Sequence, residues 1–327
     1  MKRFLTASEV ANAFGAGVSS VKRWCDLGLL QVNRTAGGHR RIVAGDVIQF
    51  AREDHRTILN PEPLGLAPSC DLRQPLALDE GTSLLATALT DGDEVDSFET
   101  ILRLYMSGCS LGRICDEAIT SSFKCIGDGW IDGRIAIYEE RRACELCLSI
   151  LNTMRTILPR VSPDAPLAAG CTPPGDPYSL PTTMVEVALI EAGWHACTIG
   201  RCVPFDAMQS AVASLRPSLF WLSASTVADG FPFVRHARQF GDYLDKRDVT
   251  FVIGGRRFDS RTRSRVPHAY FGQSIRQLQE FALTLREIQN ESLSSDINAE
   301  SGSAVPIPDN GNLRSSEVPQ SGNAPIA

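Results

Sequence analysis

Eight side chains near the start of the chain have the chemistry to hold a phosphodiester and read a base edge: Ser19, Ser20, Lys22, Arg23, Arg34, His39, Arg40 and Arg41. Guanidinium and ammonium groups donate to phosphate oxygens, and short polar side chains reach base edges in a groove. A second set stands far downstream: Asp176, Tyr178, Ser223, Ser225, Gly254 and Gly255. A carboxylate, hydroxyls and a glycine pair at strand ends can line a ligand slot that backbone must approach closely. Trp130, Glu140 and Arg141 lie between the two sets. No Ser-His-Asp set, phosphate loop or metal cluster is legible. The sequence therefore predicts a chain that is not an enzyme and has no metal site of its own.

The elements around the first set suit its chemistry. Thr6 and Glu9 have capping-box spacing at a helix start, Val10, Ala13 and Phe14 follow at helical intervals, and Gly15 and Gly17 end the helix. A second helix over about 18–27 buries Val18, Val21, Trp24 or Cys25, and Leu27. That leaves Ser19, Ser20, Lys22 and Arg23 outward near its N-terminal end, where a helix-turn-helix enters the major groove. Leu30 and Val32, Gly37-Gly38 and the residues around Ile42 then predict a two-stranded hairpin carrying Arg34, His39, Arg40 and Arg41. A third helix over about 46–54 closes the small core. Read together, the segment is a DNA-binding head with a wing.

Charge distribution supports that reading. The chain of 327 residues has a formal net charge of −6, but residues 1–60 carry nine Lys/Arg against five Asp/Glu. A basic head on an acidic body is the footprint of local duplex contact. Ten cysteines in a chain of this length, with no secretory leader and no long apolar run, predict reduced thiols, a cytoplasmic setting with DNA association, and no membrane partner. Cys144 and Cys147 form a C-x-x-C pair inside an apparent helix, which predicts ordinary packing.

Residues 57–76, with Pro61, Pro63, Pro68 and Pro75, read as a linker, and 77–159 as a four-helix bundle. Over 160–289 strands alternate with helices: 167–171, 194–199, 219–223 and 250–253 as strands, and 183–192, 205–215, 234–244 and 274–288 as helices. That order predicts a doubly wound parallel sheet. Residues 290–327, rich in Ser, Asn, Pro, Gly and acids, read as a disordered tail. The whole is a multidomain chain: a winged head over 1–56, a bundle, and an α/β sheet domain.

Residues 5–42 resemble the MerR-type winged helix-turn-helix, including its relatives in excisionases. The resemblance rests on Gly28-Leu29-Leu30 and the Gly37-Gly38-His39-Arg40-Arg41 wing. The sheet domain resembles the cobalamin-binding fold, whose signature is D-x-H-x-x-G, then S-x-L, then G-G. Here Asp176 to Pro181 stand first, Ser223-Ala224-Ser225 second after 41 intervening residues, and Gly254-Gly255 third after a further 28. Residues 1–289 together resemble the cobalamin-dependent photoreceptor repressors of the MerR family. In that family a Trp followed after nine residues by Glu-His caps the cofactor, and a His follows the Trp directly. Here Trp130 and Glu140 match, Arg141 replaces one His and Ile131 the other. In the signature itself Tyr178 replaces the cobalt-ligating His and Pro181 the Gly, and a phenol is a poor neutral donor to cobalt.

The resemblance implies a repressor that binds double-stranded promoter DNA as a homo-oligomer. The lost imidazoles imply a sensor independent of cobalamin, gated by a partner protein, another small molecule or self-association. Two readings stand beside it. One is an adenosylcobalamin-dependent light sensor that binds the cofactor without a His. The other, of a different class, is a corrinoid carrier protein or mutase subunit. Trp130 either covers a ligand or packs between bundle and sheet.

Overall fold

The computed structural model describes residues 3–228 and 232–301, with side chains as far as residue 288. The chain begins with β1 (Phe4–Leu5), α1 (Ala7–Phe14), α2 (Val18–Asp26), β2 (Asn33–Arg34), β3 (Arg40–Val43) and α3 (Ala44–Glu53). The capping box forms as read: Thr6 Oγ1 accepts from Glu9 N at 3.2 Å, and Glu9 Oε2 accepts from Thr6 N at 2.7 Å. These bonds hold the Glu9 carboxyl below its ordinary range, aided by Arg3 and Arg41. Gly15 ends α1 in the left-handed region. β3 lies between β1 and β2, antiparallel to both.

Leu5, Val10, Ala13, Val21, Cys25, Leu30, Ile42, Val47 and Ile48 fill the core beneath these elements. Two residues depart from the expected face of the second helix. Val18, its first residue, is 38% exposed, and Leu27 is 62% exposed because α2 ends at Asp26 and Leu27 caps it outside the apolar stripe.

Residues 57–76 are a folded strap rather than a free linker. Leu59 N donates to Ala13 O at 2.8 Å, and Asn60 Nδ2 donates to Asn12 O at 2.8 Å. Ile58, Leu64, Leu66, Cys70 and Leu76 are buried in the same core as the helices on either side. Prolines set the strap's course, so its apolar residues fall at irregular intervals that no helical or strand period reveals.

The helical part comprises α4 (Leu78–Asp91), α5 (Glu94–Met106), α6 (Leu111–Arg113), a π-helical stretch (Ile114–Ile119), α7 (Thr120–Ile131) and α8 (Ile137–Ile157). Its core continues that of the head. At Gly45 a Cβ would lie 2.6 Å from Ile157 O, so α3 seats its backbone directly on the end of α8. The C-x-x-C thiols sit within this packing. Desolvation pushes Cys144 up to about 11 and Cys147 up to about 12, so both remain protonated and weakly nucleophilic near neutral pH.

The remaining elements are β4 (Leu167–Cys171), α9 (Leu180–Glu191), β5 (His195–Gly200), α10 (Phe205–Leu215), β6 (Leu219–Ser223), α11 (Phe233–Asp245), β7 (Thr250–Gly254), α12 (Ser260–Arg263), β8 (Tyr270–Gly272) and α13 (Ile275–Ser301). The five strands form one parallel sheet in the order β5-β4-β6-β7-β8. Phe205, Met208, Phe220 and Phe240 pack one face, and Val185, Trp194, Trp221 and Leu278 the other. β8 escaped the sequence reading because three residues are too short to show a period. α13 runs past the expected end near Ile288, since neither Gly nor Pro intervenes before Gly302. The expected disordered tail thus begins inside a helix, and its residues 302–327 lie outside the described residues. No helix among the described residues is long and apolar enough to cross a membrane.

Candidate functional site

Two surfaces carry the residues singled out by sequence. On the head, α2 presents Ser19, Ser20, Lys22 and Arg23 to solvent. Val21 and Cys25 are buried beneath them, so the helix cannot rotate those four inward without exposing its apolar face. Trp24 and Phe50 pack at 5.2 Å between ring centroids and fix α2 on α3, and Arg56 lies over the Trp24 ring at 4.6 Å. The hairpin tip is closed by Gly38 N to Thr35 O at 2.8 Å and Thr35 N to His39 O at 3.0 Å. Arg34 and His39 are exposed there, and Arg41 is half-buried on β3. Arg40 is engaged otherwise: its guanidinium pairs with Asp26 at the end of α2, which braces the hairpin against that helix.

At the sheet, the order β5-β4-β6 places the chain's switch point between β4 and β6, where a doubly wound sheet opens its ligand crevice. Asp176 follows β4 and Ser223-Ala224-Ser225 ends β6, so the first two signature blocks meet there. Asp176 is fully buried. Its Oδ2 accepts from Ser225 N at 2.6 Å, its Oδ1 from Tyr178 N at 3.1 Å, and its carbonyl from Thr172 Oγ1 at 2.6 Å. This carboxylate stitches one loop to the next through backbone amides. Gly255, with φ +99°, leaves β7 so close to the neighbouring loop that a Cβ would lie 2.4 Å from Ala224 O. Tyr178 is 38% exposed. Pro181 stands in the first turn of α9, which begins at Leu180, where a ring with fixed φ is favourable.

Beneath these loops lies a cavity of about 250 Å³ between the β6–β7 face, α9 and the start of α13. Ser223, Gly254, Gly255 and Pro181 line its mouth, and Trp221, Val185 and Leu278 its apolar body. Trp221 is held by Nε1 donating to Thr182 Oγ1 at 2.9 Å. The slot has room for a small ligand group among mainly apolar walls. It does not offer protein ligation to a metal: the signature position is a phenol, Asp176 is spent on backbone amides, and no group of three His, Cys, Asp or Glu converges among the described residues. The residues present therefore do not fit a protein-ligated cobalt.

Trp130, at the end of α7, is 51% exposed. Of the two roles read from sequence, packing between layers does not suit that exposure. Glu140 pairs with Arg141 at 3.3 Å, so the residue in the family's His position turns back on its neighbour. Ile131, Ile137 and Tyr138 are exposed around the same turn. Among the histidines, His236 stacks on Phe205 at 5.7 Å, a partner the sequence did not reveal.

The sequence also gave no sign of a polar node joining head, helical part and sheet layer. Arg52 of α3 donates to Glu191 Oε1 and to Cys109 O, both at 3.0 Å, and lies 4.0 Å over the Tyr105 ring. Glu191 Oε2 accepts from Leu111 N and from Gln279 Nε2, each at 2.6 Å. Asp116 caps α13, accepting from Ile275 N at 2.9 Å and Arg276 N at 2.8 Å. Each partner lies scores of residues from the next, so only the folded chain shows the node.

No protein-family model matches the sequence, and no curated protein matches it. Among solved structures, the fold is similar to the monomethylamine corrinoid protein of Methanosarcina barkeri, with a TM-score of 0.51 and 14% identity over 64% of this chain and 100% of that one. A cobalamin-binding protein of Desulfitobacterium hafniense DCB-2 aligns at 0.35 and 17% identity over 62% of this chain and 96% of its own. The methanol:cobalamin methyltransferase complex MtaBC of Methanosarcina barkeri aligns at 0.34 and 17% identity, over 72% and 88%. The first similarity establishes the architecture: a helical part with a five-stranded parallel sheet, the Rossmann-like arrangement of a corrinoid protein.

Proposed function

We propose that this chain is a DNA-binding transcription regulator. In this reading residues 1–56 are a winged helix-turn-helix, the helical part is a four-helix bundle, and the sheet layer is a sensor of cobalamin-binding fold that works without a protein-ligated cobalt. The observation that carries the reading is the outward display of Ser19, Ser20, Lys22 and Arg23 on α2, backed by Val21 and Cys25 and flanked by a basic hairpin. The N-terminal half of α2 enters the major groove. Arg34, His39 and Arg41 meet phosphates or the adjoining minor groove, and Arg40 sets the hairpin's angle through Asp26. A head this small binds weakly alone, so self-association on repeated sites supplies the affinity. A promoter then carries several copies, and the effect is repression.

The loss of the ligating His leaves room for a second reading: a corrinoid bound without a protein ligand, with its own base still on the metal, in a light-sensing repressor or, of a different class, a corrinoid carrier. The head has no task in a carrier. Fluorescence anisotropy of a labelled duplex with the full chain and with the Lys22→Ala/Arg23→Ala variant tests the main reading. Binding that the substitutions weaken at least tenfold supports it, and equal binding by both proteins removes the head from it. Gel filtration after mixing with adenosylcobalamin in the dark tests the second. A retained corrin spectrum favours it, and a colourless protein peak excludes it.

A further inference from the structure

A strongly basic edge lies outside both sites. After β7 the chain reads Arg256-Arg257-Phe258-Asp259-Ser260-Arg261-Thr262-Arg263-Ser264-Arg265, five arginines and one carboxylate, in a body that is otherwise acidic. Arg256, Arg257, Arg261 and Arg265 are exposed, and none forms an ion pair with a described residue. Asp259 caps α12, its Oδ1 accepting from Thr262 N at 2.7 Å, and this single carboxylate, close enough to feel Arg257 and Arg261, offsets only part of the charge of five guanidiniums. Arg263 is occupied over the Phe271 ring at 4.5 Å. The segment is pinned from below by buried Phe258, Thr262 and Val266, so the guanidiniums stand on a fixed base. Phe258 packs 5.3 Å from Phe233, which brings the start of α11 alongside, and Arg235 and Arg238 on that helix are exposed as well.

We infer that this edge is a second phosphate-binding surface, for the backbone of a nucleic-acid duplex. Arginine alone, without lysine, is suited to bidentate contact with phosphate or carboxylate. The choice between those two rests on what surrounds it. A protein interface needs an apolar anchor at its centre, whereas every apolar residue of 256–266 is buried and the exposed remainder is Arg, Ser and Asp. Guanidiniums interleaved with hydroxyls and lacking an exposed aromatic ring match backbone contact without base reading. The surface is separate from the head. α9 runs against the strands, so Glu191, which holds Arg52 of the head, sits at the amino end of the sheet, while Arg256 follows β7 at the carboxyl end. Two duplex segments, or two stretches of one looped duplex, can therefore be held by one chain.

The test compares four full-length proteins on a duplex of random sequence over a salt series: wild type, Arg256→Gln/Arg257→Gln/Arg261→Gln/Arg265→Gln, the head variant Lys22→Ala/Arg23→Ala, and the combination. With each lost phosphate contact reducing the log–log salt slope by about 0.9, the quadruple variant should be shallower by about three to four. Its wild-type advantage should shrink about a hundredfold between about 50 and 200 mM salt. Unchanged slope and affinity in the quadruple variant overturn the inference. So does a variant that loses binding to poly-glutamate while keeping duplex binding, because the edge then serves an acidic polypeptide. If the head variant binds as wild type while the quadruple variant does not, the edge stands and the head reading fails. All four side chains are exposed, so the variants should keep the circular dichroism spectrum of wild type, which is the control for folding.

Discussion

The head and the sheet's carboxyl end both display motif residues at family-like spacing, yet the structure uses them in opposite ways. On α2 the polar residues face solvent while their apolar neighbours hold the helix, so Lys22 and Arg23 are free to act on something outside. At the switch point the most recognisable residue, Asp176, is fully buried and bonded to backbone amides of two loops. Gly255 likewise serves a close crossing of loops. Matching spacing therefore has two sources. A residue can persist at a position because a ligand needs it or because the chain's own turns need it, and only its bonding partners tell which.

That contrast can be broken most sharply at Asp176. Replacing it with Ala leaves the part-buried amides of Ser225 and Tyr178 without their acceptor and should cost on the order of 3 kcal/mol, read as a lower urea midpoint. A variant that is stable but altered only in ligand binding would assign Asp176 to a ligand instead. Gly255→Ala adds a Cβ in the left-handed region against Ala224 O and should destabilise by about 2 kcal/mol in the same assay. On the head the expected pattern is reversed. Lys22→Ala/Arg23→Ala should leave the urea midpoint within about 0.5 kcal/mol of wild type while weakening duplex binding. Arg40→Ala sharpens the comparison within the head, since it should loosen the hairpin without lowering the salt slope, whereas Arg41→Ala should lower it by about one.

The smallest effect concerns the cap of α1. The Glu9 carboxyl titrates below its ordinary value in the folded chain, so its stabilisation is complete above about pH 4.5 and is lost as pH falls through the folded value. The melting temperature of wild type should exceed that of Glu9→Gln at neutral pH, and the gap should close in acid. A gap that widens in acid would contradict the assigned cap.

Much of the architecture was legible because it depends on local periods. The capping box at Thr6 and Glu9, strands over 167–171 and 219–223, and the helix over 205–215 were read from short-range pattern and stand where expected. The strap over 57–76 was not, because its buried residues follow proline geometry. β8 was too brief, and α13 outran its amphipathic stretch. Of the candidate site, the residue types were legible and their employment was not. Nothing in the sequence says that Arg40 meets Asp26, that Asp176 serves Ser225, or that Arg52, Glu191 and Gln279 converge across the chain. Those are tertiary contacts between residues with no shared period.

Hydrogen exchange of the full chain with and without duplex DNA tests the central division most directly. Added duplex should slow exchange across residues 17–43, from the start of α2 through the hairpin, and leave the amides of Tyr178 and Ser225 slow in both states because Asp176 already binds them. Unaltered exchange over 17–43 under conditions where the duplex is bound would contradict the account.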